Sequence, residues 1–427
     1  MTETVVSADP RIIAMELLMK APATVSSPYP HYHALRAAAP KYRMEQPGQG
    51  VGWVLTTYDE CRAALRSPSL DKSAQRPRMG DFRGREGART LLFLDGPEHT
   101  RLRGLVSRVF TPRRVETLRP RLTTFVDSLL DEVTRQVGPR GGEIDLVGAF
   151  GFPLPVMVIG ELVGVPPEDW PLLRRLTRAA SGGLEIFAPE EVLKASDQAL
   201  GEMEEYFADL VRKRREEPRD DLATALGQVE VDGDKLSVDE LIQVIVLLFG
   251  AGFQTMTDLI GLGTYALCRN PDQMQRLREQ PELTRSAIEE LLRYDSPVHV
   301  LGRAAFEDTT FLDGTPLAAG EHVITLIGAA NRDPARYADP DVLDIARFAG
   351  PEPPETPLSF AWGPHHCLGA QLARLELAEA LSAILARLPG LRLAAPEDEL
   401  PWKIGLRVRG LRGLPVAWDT TGTGVGR

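Results

Sequence analysis

The residues best suited to metal or redox chemistry lie in one short segment around a cysteine. The segment reads Phe360-Ala361-Trp362-Gly363-Pro364-His365-His366-Cys367-Leu368-Gly369. A thiolate that binds a metal must stay deprotonated, and backbone N–H groups that point at the sulfur favour the anion. Gly363 and Gly369 let the chain curl closely around the sulfur, and a helix over 370–388 adds its positive end. The pattern therefore predicts a thiolate metal ligand, Cys367, which Phe360 shields from solvent.

Two other interpretations compete at this segment. A zinc site on His365, His366 and Cys367 needs a fourth ligand or a second Cys/His pair, and the sequence has no such cluster. The other interpretation is a buried, inert cysteine, which is common in protein cores. The glycine-flanked loop favours a haem-iron ligand over both.

A long helix must position the opposite side of such a site. Ser237 and Glu240 form a capping box at its start, and Asn270-Pro271 ends it. About 32 residues at 1.5 Å each span roughly 48 Å, which is enough to cross a domain. Gly250-Ala251-Gly252 lies inside, although each glycine costs about 1 kcal/mol relative to alanine. Close helix packing would explain the glycines, and so would a groove where a ligand approaches the backbone, with Thr255 just beyond.

Strand-like segments are few and short, so the sequence predicts a mainly α protein with small β-sheets. Residues 51–56 alternate weakly, and residues 309–312 lead through the Asp313-Gly314 turn to a returning strand at 321–324. We expect a single domain over 26–418, a flexible segment over 1–25 and a frayed tail over 419–427.

The charge distribution limits the possible partners. The formal net charge is −11, which argues against nucleic acid. The stretch 101–121 is basic, because it contains seven arginines and one acid, Glu116. They are Arg101, Arg103, Arg108, Arg113, Arg114, Arg119 and Arg121. The stretch is either a solvated helix face or a docking surface for an acidic protein.

The distribution of apolar residues and cysteines indicates the compartment. The N-terminus lacks a basic region followed by an apolar core, and the most apolar stretch, 241–253, is too short to span a bilayer. The three cysteines (Cys61, Cys268 and Cys367) are odd in number and far apart, which argues against a disulfide framework. We expect Cys61 and Cys268 to act as small buried hydrophobes, and the protein to be cytoplasmic without a membrane partner.

The motifs together resemble those of the bacterial cytochrome P450 family. The segment from Phe360 to Gly369 matches the family pattern F-x-x-G-x-H-x-C-x-G in full, and the resemblance extends over about 28–418. Glu290-Leu291-Leu292-Arg293 is similar to the family's E-x-x-R motif, and Arg347 to its third member. In the family these three side chains brace the haem side that carries the cysteine. The resemblance implies the triangular-prism helical domain of the family.

The same resemblance implies the cofactor and its partners. The cofactor is expected to be haem b, held non-covalently because no C-x-x-C-H attachment motif exists, with Cys367 as axial ligand. Asp95 to Arg103 is similar to the segment that supplies propionate partners. By this match His99 and Arg103 bind the haem carboxylates, joined by Arg303 and His365.

The long helix is similar to the family's oxygen-binding helix but departs from it at one position. The family pattern is A-G-x-acid-T, and this sequence reads Ala251-Gly252-Phe253-Gln254-Thr255. Ala251 and Gly252 would leave room for dioxygen, and Thr255 would hydrogen-bond it or its water. An amide at 254 can order a water but cannot shuttle protons. Three interpretations follow: hydroxylation with an altered proton relay, a reaction that depends less on the relay, or a substitution without consequence.

The resemblance implies a monooxygenase that activates dioxygen with electrons from a separate ferredoxin and ferredoxin reductase, since the chain has no flavin or iron–sulfur motif. The expected substrate is a small apolar or aromatic organic molecule, because relatives often tailor secondary metabolites. The alternatives are oxidative coupling or desaturation by the same haem chemistry, and a non-enzymatic haem sensor.

The family topology also implies a substrate chamber. Its expected surroundings are the loop 70–89, the region 177–195, with Gly182-Gly183 as a lid hinge, and the helix segment 247–255. The expected lining residues are Leu247, Val298, Val300, Leu301 and Ile404.

Overall fold

The computed structural model describes residues 6–18, 22–46, 50–72, 90–138, 142–184, 189–404 and 407–419. The helices are α1 (Pro10–Leu18), α2 (Pro22–Ser26), α3 (Tyr29–Ala38), α4 (Tyr58–Arg66), α5 (Gly96–Val109), α6 (Pro112–Thr117), α7 (Arg119–Val137), α8 (Pro153–Val163), α9 (Trp170–Ser181), α10 (Glu190–Glu216), α11 (Leu222–Gln228), α12 (Val238–Arg269), α13 (Pro271–Glu279), α14 (Thr284–Tyr294), α15 (Ile327–Ala330) and α16 (Ala370–Arg387). The strands are β1 (Lys41–Gln46), β2 (Gly50–Leu55), β3 (Leu70–Asp71), β4 (Glu143–Asp145), β5 (Glu230–Val231), β6 (Asp234–Lys235), β7 (Val300–Ala305), β8 (Thr309–Thr310), β9 (Pro316–Leu317), β10 (His322–Leu326), β11 (Arg392–Leu393) and β12 (Pro415–Ala417). The prediction of a mainly α fold with small sheets is confirmed.

The central helix is α12, and the predicted capping box forms at its start. Ser237 Oγ accepts from Glu240 N at 3.2 Å, and Glu240 Oε2 accepts from Ser237 N at 2.8 Å. The helix packs against α8, α9, α10 and α16. It is long and apolar enough to cross a membrane, but 61% of its most apolar window is buried inside the protein. This burial is what a core helix shows, because a helix that is apolar all round needs protein contacts on every side.

The largest sheet has the order β1-β2-β10-β7-β3, and β2 pairs with β10 in parallel. Strand β2 confirms the prediction for 51–56. The prediction that 309–312 forms a hairpin with 321–324 was wrong. Strand β8 pairs with β9 instead, and β10 pairs with β2 and β7 in the main sheet. Thr309↔Leu317 and Thr310↔Pro316 are the pairs of that hairpin. Gly314, with φ +81°, lies in the turn of this hairpin. The hairpin is therefore shorter than the predicted one, in which the chain returned at 321–324.

The N-terminal segment differs in part from the expectation of flexibility over 1–25. Residues 10–18 form α1, and Ile13 and Leu17 are buried in a cluster with Tyr32 and Leu35 of α3. This burial gives the helix a tertiary partner, which short helices need in water. In the tail, 420–427 lie outside the described residues.

The two cysteines outside the Phe360–Gly369 segment lie in or against the apolar core. Cys61 in α4 is fully buried, and burial raises the pKa of its thiol. Cys268 is half-buried near the end of α12 and packs against the main core, and burial raises its pKa to about 12. Both thiols therefore stay protonated at neutral pH.

Candidate functional site

Cys367 lies in a tight loop between a 3₁₀ turn (Gly363–His365) and the start of α16. Cys367 N donates to Phe360 O at 2.9 Å, which closes the loop on itself. Gly363 has φ +74°, and a Cβ there would lie 2.9 Å from the carbonyl oxygen of Leu65. Glycine is therefore required at 363 by both conformation and space.

The loop holds the sulfur beside groups that favour its anion. The surface of Cys367 is exposed, although neighbouring segments of the protein surround the loop. Burial raises the pKa of the thiol, whereas the Gly369 backbone hydrogen bond, Arg103 and Arg374 lower it. The Arg374 guanidinium also lies 4.6 Å from the Phe360 ring centroid. A cation and an aromatic ring thus flank the loop on the side of α16.

A cluster of donors and cations forms next to this loop from α5, β7 and the loop itself. His365 Nε2 lies 2.9 Å from Asp95 Oδ1, and the His99 and His365 ring centroids are 4.3 Å apart. Two buried polar atoms of the cluster, His99 Nε2 and Arg303 Nη2, have no hydrogen-bond partner among the described residues. Buried polar groups are normally paired, so these two atoms indicate a missing acceptor.

The electrostatics of the cluster indicate that the missing acceptor is an anion. Burial, followed by the charges of His365 and Arg103, lowers the pKa of His99 to about 4. Burial lowers the pKa of Arg303 to about 10. The pKa of Lys72, at the end of β3, is also well below its usual range because of burial and then Arg303 and Arg407. All three pKa values are lowered because the surroundings disfavour the positively charged forms. A bound carboxylate would raise these pKa values again.

The structure brings His99, Arg303 and His365 together, and the charge of Arg103 acts on both His99 and Cys367. Arg103 Nη2 donates to His366 O at 2.7 Å, so this side chain binds the cysteine loop. Sequence reasoning missed Lys72 and Asp95 as members of the cluster. The sequence offered a signal for Asp95, because it precedes α5 at the N-cap position. No feature of the sequence around Lys72 distinguished it from other lysines.

The middle of α12 presents an open face. Ala251 and Gly252 are exposed, although Phe249 and Phe253 beside them are fully buried. A Cβ built on Gly252 would meet nothing within 4 Å, so close helix packing does not explain this glycine. Thr255 Oγ1 donates to Ala251 O at 2.9 Å. The glycines thus fit a groove open to a ligand, the second interpretation of the sequence.

Three side chains form a buried ionic network behind the cysteine loop. Glu290 accepts from Arg293 at 2.7 and 2.8 Å and from Arg347 Nε at 3.0 Å. The side chains of Glu290 and Arg293 have no exposed surface. Arg293 also donates to the carbonyl oxygens of Asn331 and Pro340. The network therefore ties α14 to the segment that leads into the cysteine loop.

Comparison with known proteins gives the family. The family model described as Cytochrome P450 matches residues 184–404. The chain is 40% identical over 396 residues to mycinamicin IV hydroxylase/epoxidase of Micromonospora griseorubida. The aligned region covers 91% of this chain and 94% of that protein. It belongs to the cytochrome P450 family. The resemblance seen in the sequence is thereby confirmed, and the chain is a haem-thiolate monooxygenase of this family.

Further relatives and solved structures agree. Vitamin D(3) 25-hydroxylase of Pseudonocardia autotrophica is 41% identical over 395 residues, which is 91% of this P450 and 93% of that protein. The structure of the Bacillus subtilis bacillaene polyketide synthase P450 PksS superposes with a TM-score of 0.84 at 36% identity, covering 93% and 98% of the two chains. A P450BioI structure in complex with a fatty-acid-loaded acyl carrier protein superposes with the same TM-score at 33% identity, covering 93% and 99%.

The residues of this P450 fit a haem group. Bound haem supplies activation of dioxygen by electrons delivered one at a time, and a thiolate ligand favours cleavage of the O–O bond. Cys367 would bind the iron, and the unpartnered atoms of His99 and Arg303 would receive propionate oxygens. No group of three or more His, Cys, Asp or Glu side chains that could hold a metal ion is found among the described residues, which argues against the zinc interpretation.

The residues expected to line the substrate chamber lie in different layers of the P450. Leu247 packs near Leu91 and Leu94, Leu301 of β7 packs against the apolar cluster that contains Leu55 and Tyr58, and Ile404 is 58% exposed. Val298 forms a β-bridge with Val408, close to the loop that carries Ile404. Val300 does not belong to this set, because it is buried in the N-terminal cluster with Ile13 and Leu17. Its place in β7, next to Leu301, turns it to the opposite face of the sheet.

Two segments expected around the chamber lie partly outside the described residues. They are 73–89 of the loop 70–89 and 185–188 of the region 177–195. The hinge residues Gly182-Gly183 form a 3₁₀ turn at the end of α9.

Proposed function

We propose that this P450 hydroxylates or otherwise oxidises a small apolar or aromatic organic molecule in the tailoring of a bacterial secondary metabolite, in the cytoplasm. The proposed cofactor is haem b, held by Cys367 and by the side chains of His99, Arg103, Arg303 and His365. The observation that carries the proposal is the pairing of the tight cysteine loop with a cationic cluster whose buried donors lack an acceptor. Relatives named for nocardicin C N-oxygenation and 6-deoxyerythronolide B hydroxylation support the substrate class.

The remaining residues of the cofactor site receive roles within this proposal. Gly363 and Gly369 let the loop approach the haem, and Phe360 shields the sulfur. Ala251 and Gly252 leave the groove open for dioxygen. Thr255 and Gln254 then hold a water at the groove, and protons pass through that water and Thr255. Excluding bulk water there prevents loss of reducing equivalents.

We propose that electrons come from a ferredoxin and its reductase, which dock on the side of the cysteine loop. A groove of about 1060 Å³ opens on this side, and its lining includes Pro112, Glu116, Arg119, Arg285, His366 and Arg374. His366 is adjacent to the ligand cysteine, so a partner bound there is close to the cofactor. An acidic ferredoxin is favoured by the nearby basic stretch.

The arginines of that stretch are mostly engaged within the chain. Arg101 pairs with Asp234 and Glu240, Arg119 and Arg121 pair with glutamates, and Arg114 pairs with Asp220. Arg108 and Arg113 are exposed, and no ion pair is found for either in the described part of the chain. The docking surface is therefore proposed to centre on Arg108, Arg113 and the groove.

The experiment that tests the cofactor proposal is the absorption spectrum of the reduced, carbon monoxide-bound protein. A thiolate ligand moves the main band to longer wavelength, and Cys367→Ala should abolish that band. Cys268→Ala is the matched control, because Cys268 is a half-buried thiol whose pKa is also raised. Colourless protein, or the same spectrum in Cys367→Ala, would contradict the proposal.

A second reaction type is favoured by Gln254. Because an amide does not shuttle protons as a carboxylate does, oxidative coupling or desaturation without oxygen insertion is the alternative. Substrates found by a spin-state shift should be turned over under ¹⁸O₂. Label in the product supports oxygen insertion, and an oxidised product without label supports the alternative.

A further inference from the structure

One buried carboxylate of α12 has no place in the site described so far. Asp258 lies one helical turn after Gln254, and its side chain has no exposed surface. Gln254 Nε2 donates to Asp258 Oδ2 at 3.0 Å, and Lys403 Nζ lies 2.5 Å from Asp258 Oδ1. The three side chains therefore form one continuous chain of hydrogen bonds.

The loop that carries Lys403 packs tightly on this carboxylate. Trp402 pairs with Leu411 in a β-bridge, and Lys403 N donates to Gly410 O at 2.9 Å. A Cβ on Gly410 would lie 2.1 Å from Asp258 Oδ1. The glycine thus permits an approach that any side chain would prevent. The Lys403 side chain is 22% exposed, so the ion pair reaches the surface.

The ion pair determines which way the Gln254 amide faces. A carboxylate paired with an ammonium is ionised, and an ionised carboxylate only accepts hydrogen bonds. The NH₂ group of Gln254 must therefore face Asp258, which leaves Oε1 as the other end of the amide. No hydrogen-bond partner for Oε1 is found among the described residues. The amide consequently offers a fixed acceptor at the position where relatives of the A-G-x-acid-T pattern carry an acid.

We propose that Asp258 is a positioning residue for proton delivery in this P450. Held ionised by Lys403, it fixes the Gln254 amide so that Oε1 holds a water beside Thr255. The Asp258–Lys403 pair also places a negative charge one turn from the groove and connects it to solvent. Gln254 and Asp258 together thus replace the single acid of the family pattern. This inference rests on the proposed function, because it concerns proton supply to dioxygen in the same groove.

The fate of dioxygen measures this role without knowledge of the substrate. With a surrogate ferredoxin and its NADPH-dependent reductase, and with no organic substrate, dioxygen is reduced in one of two ways. Two electrons and two protons give H₂O₂, which consumes one NADPH per O₂. Four electrons and four protons give two H₂O, which consumes two NADPH per O₂. Ordered proton delivery favours water, because reduction to water takes up four protons per O₂ and reduction to H₂O₂ only two.

We expect Asp258→Asn and Lys403→Gln each to lower the share of dioxygen reduced to water about tenfold, the usual effect of removing a partner that orients a functional group. Gly410→Ala should act in the same direction, because the added Cβ displaces the carboxylate without changing any charge. Lys403→Arg should keep most of the wild-type share. The matched control is Glu204→Gln, since Gln243 on α12 makes the same amide–carboxylate contact at 3.0 Å.

A second readout separates positioning from stability. Hydrogen exchange of the amides in 402–404 and 407–411 should rise in Asp258→Asn, because the ion pair attaches these residues to α12. Faster exchange with an unchanged share of water would show a structural role alone and overturn the proposal. A wild type that releases only peroxide would overturn it as well. Loss of the red-shifted carbon monoxide band in the wild type would instead refute the proposed function, whatever the exchange shows.

Discussion

The network centred on Glu290 allows a quantitative prediction for the substitution Glu290→Gln. The carboxylate accepts four hydrogen bonds, two from Arg293, one from Arg347 and one from Asp344 N at 2.9 Å. Gln keeps the shape of Glu but removes the negative charge and presents an NH₂ group to donors. The guanidinium of Arg293 would then be a buried charge without its counter-ion.

The expected loss follows from the burial of the pair. Removing one partner of a fully buried ion pair costs about 3–5 kcal/mol, because the remaining charge is uncompensated. The entropy of unfolding is about 2.1 cal/mol/K per residue, so 427 residues give about 0.9 kcal/mol/K. A loss of about 4 kcal/mol therefore lowers the midpoint of unfolding by about 4–5 °C.

The assay is thermal unfolding of the holoprotein, followed by far-UV circular dichroism and by haem absorbance. Glu289→Gln is the matched control, since Glu289 pairs with Arg374 through two hydrogen bonds but is about one-fifth exposed. A partly exposed pair of this kind contributes about 1 kcal/mol or less, because solvent screens the two charges. Equal losses in the two variants, or a larger loss in Glu289→Gln, would refute the reasoning from burial.

Three further predictions concern single side chains. Burial raises the pKa of Glu376 from 4.5 to about 8, so the folded protein keeps a proton that the unfolded chain releases, and stability falls as pH rises from about 4.5 to 8. Glu376→Gln should therefore gain up to about 5 kcal/mol at pH 8 and little at pH 4.5 in urea titrations, and a gain independent of pH would contradict this. Arg303→Gln should speed transfer of haem to apomyoglobin about tenfold, because a charge-assisted hydrogen bond is lost, and an unchanged rate would exclude Arg303 as a propionate partner. Gly363→Ala should yield little haem-loaded protein, because its Cβ meets the Leu65 carbonyl, whereas Gly350→Ala, in open space, should load normally.

The sequence by itself determined the family and the central helix, and it predicted Cys367 as the haem ligand. Short-range chemistry fixes each of them: the glycines around Cys367 act within a few residues, and the Ser237–Glu240 cap acts within one turn. The departure at Gln254 was also visible, because it is a change of one residue in a local pattern. For the same reason the boundaries of α12 and α16 were predicted closely.

Only the tertiary structure decided which distant residues meet. Lys72 joins the cationic cluster, and Lys403 reaches Asp258 across 145 positions of the chain. Val300 turns to the N-terminal cluster, since the face of a strand depends on its register. The partner of β8 was likewise missed, because strand pairing depends on which strand edges are already paired, and β10 pairs with β2 and β7. Contacts between distant segments carry no local signal, and for this reason the residue that compensates for Gln254 emerged from the fold and not from the sequence.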